Sequence, residues 1–476
     1  MFKHFVILIL ILASALLASA QSDDSYKIEI KIKGSQDSIL YLANYYGDKT
    51  YIADTAYNIK GKGTFVFEKN EELGGGLYII VSQARRSLFE FLVADSRDMK
   101  FETKAPDYVE EMKIHNSDEN ELFFAYLGFS SDLYKRVKPI NTRLKELDAE
   151  DDSIAIYREE IKTINSEMTD YKEAVMKDHP ESFLASFFGL IKDASIPDTM
   201  PSLADGSKDS LYPYRYYKAH YWDAVDLSDD RLIRTPVFYK KLDTYFDQVV
   251  SKDADTIISE IDKILAKMDE SGELYKYSLW RLTVKYDESQ IMGHDAILVH
   301  MSDTYFSKGK APWLDKAVVK NIMDEADKRR GTIIGQQAPN LIMQDTNLKP
   351  RSLYDIPNEY IVMFFWDPKC GHCKEEIPHL VNFYENYAEK LNVEVFAVCA
   401  DSNMKEMKKA IRTRKMSFVN VNGPRSYTTD YHDLYNIFST PVLIVLNKER
   451  KIIAKRLLSE QLPEFLENYS KYGKKE

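Results

Sequence analysis

The chain has 476 residues, of which 75 are acidic, 64 are basic and 3 are cysteines, and its formal net charge is −11. Hydrophobic residues make up 44 % and charged residues 29 %, which is ordinary for globular proteins and excludes disordered or collagen-like chains. The acidic excess argues against nucleic-acid binding, and three cysteines are too few for a disulfide-stabilised scaffold of this length. At roughly 150 residues per domain, the length predicts about three domains.

The first twenty residues have the pattern of a secretory signal. Lys3 and His4 form a short basic start, residues 5–17 are an apolar run, and Ala18-Ser19-Ala20 supplies the small residues of a cleavage site. We expect cleavage near Ala20 and a soluble, exported mature protein in the periplasm of a Gram-negative cell. An uncleaved membrane anchor is the alternative, although the run is shorter than the roughly 20 residues that a transmembrane helix needs.

Residues 21–106 are predicted to form an antiparallel β domain. Residues 26–33 alternate apolar and charged side chains, which is the period of a half-buried strand. Apolar segments separated by glycine-rich turns follow at short intervals, at 39–42, 63–67, 77–81 and 89–93. We find no catalytic constellation in this region.

Residues 107–330 are predicted to form an all-α domain. Residues 154–176 and 254–268 show helical periodicity, and several prolines divide the region into short pieces. The aromatic stretch 212–217, with Tyr221 and Trp222, is either core packing, which we favour, or a platform that binds peptides. His294 and His300 are six residues apart and do not share a helical face, so no metal site is expected there.

From residue 331 to residue 476, strand and helix signals alternate. Residues 360–366 form a continuous apolar run, as expected of a strand that is buried on both faces, and residues 393–398 form a second. Helical segments are predicted from the cysteines to about residue 390, at 403–412, at 428–438 and at 460–471. A strand pair at 441–446 and 451–457 precedes the last helix, so the order is that of an α/β sandwich.

Four features of this C-terminal segment resemble the thioredoxin superfamily, in its exported TlpA/ResA-like branch. They are the CxxC of Cys370-Gly371-His372-Cys373 after a strand, Pro378 in the following helix, Thr440-Pro441 before a buried strand, and the lead-in Ile334-Gly335-Gln336-Gln337-Ala338-Pro339-Asn340-Leu341. The resemblance covers about 140 residues and implies a thioredoxin-like sandwich that exchanges thiols and disulfides. The upstream regions resemble domains of unknown function that are fused to such modules.

The chemistry of disulfide exchange explains why the cysteines lie at a helix start. A thiolate is the nucleophile, and unpaired N–H groups at a helix N-terminus lower the pKa of a cysteine placed there. We therefore assign Cys370 as nucleophile and Cys373, about one turn later, as the resolving cysteine. Three neighbours are expected to tune the redox potential, and four residues are expected to shape the substrate groove: Lys369, Gly371 and His372 for tuning, and Phe365, Trp366, Thr440 and Pro441 for the groove.

The direction of electron flow is open at this stage. Gly-His is the dipeptide of protein disulfide isomerases and favours an oxidising potential, whereas the TlpA/ResA resemblance favours a reductant that is supplied by a membrane electron donor. The redox-active pair Cys370–Cys373 would serve in place of a cofactor. Protein thiols and disulfides are the expected substrates, with a membrane electron donor or acceptor as partner.

Two departures from the family pattern concern the site. Phe364 stands where thioredoxins have a buried acid, and Lys369 replaces the tryptophan before the first cysteine. Cys399 lies in an apolar strand, and we expect it to be buried and inert. A structural disulfide, a peroxiredoxin-like peroxidase and a surface-binding protein with a vestigial module are the alternative interpretations, although the peroxiredoxin PxxxTxxC pattern is absent before Cys370.

Overall fold

The computed structural model describes residues 25–94, 96–148 and 151–473. The predicted signal segment lies outside these residues. The described residues form two compact units: one contains those up to residue 250 together with 266–277, and the other contains 251–265 together with those from residue 278 onward. The helices between residues 107 and 330 are thus divided between the units, and the domain boundaries inferred from the sequence stay predictions.

Two four-stranded sheets form the β region of the first unit. One has the order β4-β1-β7-β8 and the other the order β3-β2-β5-β6. All pairs are antiparallel except β1 with β7, which is parallel, so the predicted antiparallel region has one exception. The strands are β1 Tyr26–Lys33, β2 Ile39–Tyr46, β3 Lys49–Tyr57, β4 Thr64–Lys69, β5 Gly76–Ser82, β6 Ser87–Val93, β7 Asp98–Lys104 and β8 Lys113–His115.

The helices of the first unit begin with two long ones, α1 and α2. Leu133, Ile140 and Ile164 form a small apolar cluster between them. The helices are α1 Asp118–Glu146, α2 Ser153–Asp178, α3 Phe183–Ile191, α4 Tyr212–His220 and α5 Phe238–Thr244.

The aromatic stretch around α4 is divided between core and surface. Tyr221 and Trp222 are buried and contact Tyr245, with ring centroids 4.9 and 5.5 Å away. Tyr214, in contrast, is exposed. Core packing, the interpretation that we favoured, therefore holds for Tyr221 and Trp222.

A seven-stranded mixed sheet, in the order β10-β9-β13-β12-β11-β14-β15, forms the centre of the second unit. The long apolar run predicted as a strand is β11, and all seven of its residues are buried. It pairs in parallel with β12 and antiparallel with β14. The strands are β9 Ile342–Asp345, β10 Pro350–Ser352, β11 Tyr360–Trp366, β12 Val393–Cys399, β13 Val419–Ser426, β14 Val442–Leu446 and β15 Ile452–Lys455.

Helices cover both faces of this sheet, as the thioredoxin-like sandwich requires. Because side chains alternate along a strand, Phe364 and Trp366 of β11 enter one core cluster, whereas Met363 and Phe365 enter the other. The helices that follow β11 are α10 Gly371–Leu391, α11 Met404–Thr413, α12 Tyr431–Tyr435 and α13 Leu462–Tyr472. The helix predicted at 428–438 is thus a single short turn.

Helices from the upstream region also belong to the second unit. They are α6 Ala254–Leu265, the end of α7 Glu273–Asp287, α8 Asp295–Met301 and α9 Lys316–Arg330. The segment between α7 and α8 lies against β15, where the Met292 Sδ accepts a hydrogen bond from the Lys455 backbone N–H at 3.3 Å. Within the described part of the chain, no helix combines the length and apolar character needed to cross a bilayer.

Candidate active site

The CxxC lies where β11 ends and α10 begins. Cys370 is the N-cap residue of α10, with extended backbone (φ −64°, ψ 128°). A tight turn precedes it, in which the Lys369 N–H donates to the Asp367 carboxylate at 2.6 Å and the Cys370 N–H donates to the Asp367 carbonyl at 3.2 Å. The turn directs the first cysteine toward the unpaired N–H groups of the first helical turn.

Cys370 is partly exposed and its thiol contacts the proline loop. The Sγ donates a hydrogen bond to the Thr440 carbonyl at 3.3 Å, and the Thr440–Pro441 peptide bond is cis, as the resemblance implies. Burial raises the pKa of this thiol. Hydrogen bonds from the Cys373 backbone and thiol, the Thr440 side chain and the His372 backbone outweigh burial, so the pKa is lowered. The thiolate is therefore favoured at Cys370.

Cys373 has the opposite environment. It is fully buried, and burial raises the pKa of its thiol to about 11, although the Asp367 N–H donates to its Sγ at 3.5 Å. The two thiols are free in this structure. An accessible thiol of low pKa beside a buried thiol of high pKa suits a nucleophile and a resolving cysteine, respectively.

The third cysteine is remote from solvent. Cys399 is fully buried at the end of β12, and burial raises the pKa of its thiol to about 12. Its Sγ lies 3.9 Å from the Asp401 carbonyl. The structure thus places Cys399 in the core, as expected.

Two of the residues predicted to tune the redox potential, Lys369 and His372, differ in their contacts. The Lys369 ammonium lies 2.9 Å from the Asp401 carboxylate, and this hydrogen bond raises the pKa of the lysine. The His372 side chain is 85 % exposed and lies 3.7 Å from the Glu375 carboxylate. The Lys369 ammonium is therefore paired with a carboxylate that was not among the residues predicted from the sequence.

Asp401 could have been found from the topology alone. It follows β12, which is parallel to β11, and the carboxyl ends of adjacent parallel strands meet at one edge of a sheet. The Asp401 side chain is 8 % exposed. Its contact with Lys369 places it beside the CxxC turn.

Two of the predicted groove residues are not at the surface. Phe365 and Trp366 are both fully buried. Phe365 stacks on Tyr431 with ring centroids 5.4 Å apart, and Trp366 belongs to the core cluster that contains Cys373. Their prediction as groove residues is wrong, because β11 is an interior strand, between β12 and β14, and is covered on both faces. Thr440 contacts Cys370, and for Thr440 and Pro441 the groove stays a prediction.

A cleft of about 450 Å³ borders Pro441 within the second unit. Glu376 of α10 lines it, and the Glu376 carboxylate accepts a hydrogen bond from the Ser459 N–H at 2.5 Å. Phe364, at the position of the family's buried acid, is fully buried. No local sequence pattern predicts this cleft, because its opposite wall comes from the segment between α7 and α8, more than 140 residues away along the chain.

Three family models match successive parts of the chain. The model described as the AhpC/TSA family matches residues 334–455. Upstream of it, two models described as domains of unknown function match: DUF5106 over residues 160–329 and DUF4369 over residues 26–123.

Two curated relatives each match about a quarter to a third of the chain. The chain is 32 % identical to the thiol-disulfide oxidoreductase ResA of Bacillus subtilis over 121 residues, which are 25 % of this chain and 64 % of that protein. It is 30 % identical to ResA of Bacillus cereus over 146 residues, which are 30 % of this chain and 80 % of that protein. The alignment thus spans a little less than two thirds of the B. subtilis protein.

Among solved structures, one similar chain is a domain of a possible thiol-disulfide isomerase from Cytophaga hutchinsonii. Its identity is 39 %, its TM-score is 0.29, and the match covers 30 % of this chain and 97 % of that chain. The two ResA alignments described above are at 30 % identity or more, and one of them covers 80 % of its relative. By these alignments, the chain belongs to the ResA-like family of thiol-disulfide oxidoreductases, which have the thioredoxin fold.

Proposed function

We propose that the protein is an exported oxidoreductase that exchanges disulfides with protein substrates through Cys370 and Cys373. The observation that carries this proposal is the contrast between the two thiols. The pKa of Cys370 is lowered at a partly exposed helix start, whereas burial raises the pKa of Cys373 to about 11. This contrast lets one thiol attack while the other stays protonated until the intermediate has formed.

Reduction of a substrate would proceed in two steps. The Cys370 thiolate attacks one sulfur of the substrate disulfide, forms a mixed disulfide, and expels the other sulfur as a thiolate that takes up a proton. Cys373 then loses its proton and attacks the Cys370 Sγ, which releases the second substrate thiolate. The enzyme pair is oxidised by two electrons and the substrate is reduced by two. Substrate oxidation is the same sequence in reverse.

The proline loop supplies the surface on which a substrate would lie. Pro441 is half-exposed, and the Thr440 carbonyl contacts the Cys370 Sγ, so a chain joined to Cys370 has to pass over this loop. No cofactor is needed, because the Cys370–Cys373 pair itself carries the two electrons. A membrane electron donor or acceptor would reset the pair. The signal-like residues 1–20 support the proposal of export to a periplasm.

Trapping of the intermediate tests the proposal. A Cys373→Ser protein cannot resolve the mixed disulfide, so it should accumulate adducts with oxidised substrate proteins that dithiothreitol releases on a gel. Cys370→Ser should give none, and Cys399→Ser, which changes the third and buried thiol, should behave like the unaltered protein. Absence of adducts from Cys373→Ser under graded oxidation would contradict the proposed exchange and favour a binding protein with a vestigial module.

The AhpC/TSA match favours a second candidate, a peroxidase in which Cys370 is oxidised by a peroxide. The residues before Cys370, Trp366-Asp367-Pro368-Lys369, contain no threonine of the kind that peroxiredoxins place near the reacting cysteine. We therefore expect hydrogen peroxide to be consumed much more slowly than a disulfide is reduced. A stopped-flow comparison of the two rates on the same reduced protein decides between the candidates.

A further inference from the structure

The cleft beside Pro441 has two walls of different origin. One consists of residues from the C-terminal segment, including Phe438 and Leu458. The other consists of the segment 287–295 between α7 and α8, including Ile291 and Met292. These four apolar side chains are 39–72 % exposed: Met292 39 %, Ile291 48 %, Leu458 56 % and Phe438 72 %. Exposed apolar groups around one concave surface indicate a binding site rather than a solvated face.

The upstream wall is fixed to the sheet. The Lys455 ammonium of β15 lies 2.5 Å from the Asp295 carboxylate, and the two side chains are only 16 % and 15 % exposed. Arg456 donates to the Gln290 side-chain oxygen at 2.7 Å. A buried ion pair and a hydrogen bond thus hold the segment 287–295 beside the proline loop, so this wall is part of the site's geometry.

The charged groups that line the cleft already have partners. Besides the Asp295–Lys455 pair, Asp287 accepts from Arg329 at 2.5 Å, and Glu376 accepts from the Ser459 N–H. The lining is therefore mixed, with polar groups that are already hydrogen-bonded beside the four exposed apolar side chains. An apolar residue of a ligand would bury its surface against these four side chains.

Position identifies the occupant. Pro441 borders the cleft, and the Thr440 carbonyl contacts the Cys370 Sγ at 3.3 Å. A polypeptide whose cysteine is joined to Cys370 therefore brings its neighbouring residues over Pro441 and to the mouth of the cleft. A volume of about 450 Å³ lies at the lower end of the range for small-ligand pockets, so a few side chains fill it.

We propose that this cleft is a specificity subsite for an extended protein segment with an apolar residue next to the reacting cysteine, and that the segment 287–295 forms one of its walls. The inference rests on the proposed function. It assigns the upstream helical region a part in substrate selection, since Ile291 lies outside the thioredoxin-like segment.

The test uses the full chain in its reduced form and three symmetrical disulfides. Two are dimers of six-residue peptides joined through their cysteines, one with Leu and Phe beside the cysteine and one with Ser and Asn. The third is oxidised glutathione, which has no apolar residue beside its cysteine. Chromatography of the released thiols gives the rates. We expect the apolar peptide dimer to react about tenfold faster than the polar one.

Two variants remove one apolar side chain from each wall, and a third is a matched control. Ile291→Ser and Phe438→Ser should each lower the ratio of the apolar to the polar rate by about threefold or more, with the rate on glutathione unchanged. Leu348→Ser, which changes a 54 % exposed leucine of the same unit outside the cleft, should leave the ratio as it is. These results would support the subsite.

The failures of the two proposals are distinguishable. If both peptides are reduced at the same rate, or if the ratio is unchanged in both wall variants, the subsite is refuted while disulfide exchange stands. If the wall variants slow glutathione and both peptides by the same factor, the side chains act on the redox centre and the subsite is again refuted. If the unaltered protein reduces none of the three disulfides, the proposed function itself fails.

Discussion

The difference in ionisation between the two cysteines predicts the order in which they react with an alkylating agent. The pKa of Cys370 is lowered, whereas that of Cys373 is raised to about 11. At about pH 8, a thiol with a pKa of about 9 or less is at least about one-tenth ionised, and a thiol with a pKa of about 11 is ionised in about one molecule in a thousand. Ionisation alone therefore favours Cys370 about a hundredfold.

Intrinsic nucleophilicity reduces this advantage. A thiolate becomes more reactive as its pKa rises, with a Brønsted coefficient of about 0.4–0.5. A difference of two pKa units therefore makes the Cys373 thiolate roughly eightfold more reactive than the Cys370 thiolate. A preference of at least about tenfold for Cys370 remains. Because Cys373 is fully buried, restricted access enlarges the preference further. Cys399, with a pKa raised to about 12, should react more slowly still.

The assay is a time course of iodoacetamide labelling of the reduced protein, followed by mass spectrometry of the cysteine-containing peptides. Cys370 should be labelled at least about tenfold faster than either other cysteine, and its rate should rise with pH along an ionisation curve centred below that of a free thiol. In guanidinium chloride the three rates should converge. Equal rates for Cys370 and Cys373 in the folded protein would refute the assignment of nucleophile and resolving cysteine.

Three further predictions follow from contacts of the second unit. Asp295→Ala leaves the nearly buried Lys455 ammonium without its carboxylate, so the free energy of unfolding in urea should fall by about 2–4 kcal/mol. Adding Lys455→Met should restore part of that free energy. An unchanged free energy of unfolding in the single variant would contradict a buried pair. Asp401→Asn removes the carboxylate that pairs with the Lys369 ammonium near the CxxC. The unpaired ammonium should lower the pKa of Cys370 further and make the reduction potential, measured against glutathione, less negative. An unchanged potential would show that Lys369 does not act on the thiolate. Cys399→Ser should keep the disulfide-reduction rate but cost about 1–3 kcal/mol of stability, because a hydroxyl replaces a fully buried thiol; a lost rate with unchanged stability would instead place Cys399 in the chemistry.

Strong, local patterns predicted most of the second unit. The continuous apolar run 360–366 indicated a strand buried on both faces, and β11 is that strand. Strands with weaker patterns were missed. β13 has the sequence Val419-Asn-Val-Asn-Gly-Pro-Arg-Ser426, whose asparagines, glycine and proline disfavour a strand, and the sheet forms it by pairing with β12 and β9.

The site divides in a similar way. Sequence patterns predicted Cys370 and Cys373 from their CxxC spacing, and Pro441 from its place before a buried strand. Asp401 and the segment 287–295 were not predicted, since their proximity to the site depends on tertiary packing that no local pattern reports. Phe365 and Trp366 were misplaced for the opposite reason: adjacency to Cys370 in sequence suggested a surface position, whereas they lie in an interior strand that is covered on both faces.

The hydrogen bond from the Lys455 N–H to Met292 has a consequence for the sheet as a whole. β15 is an edge strand of four residues, and the neighbouring Arg456 N–H already points inward to the Leu443 carbonyl of β14. The outward-facing N–H of Lys455 is the kind of group through which edge strands recruit further strands. Gly335 and Gln336 already bond Ile452 at the other end of this edge, so Met292 completes its cover. A thioredoxin-like segment cut free of its upstream helices would keep the cover at Ile452 but expose the N–H of Lys455, and its edge would then be only half protected.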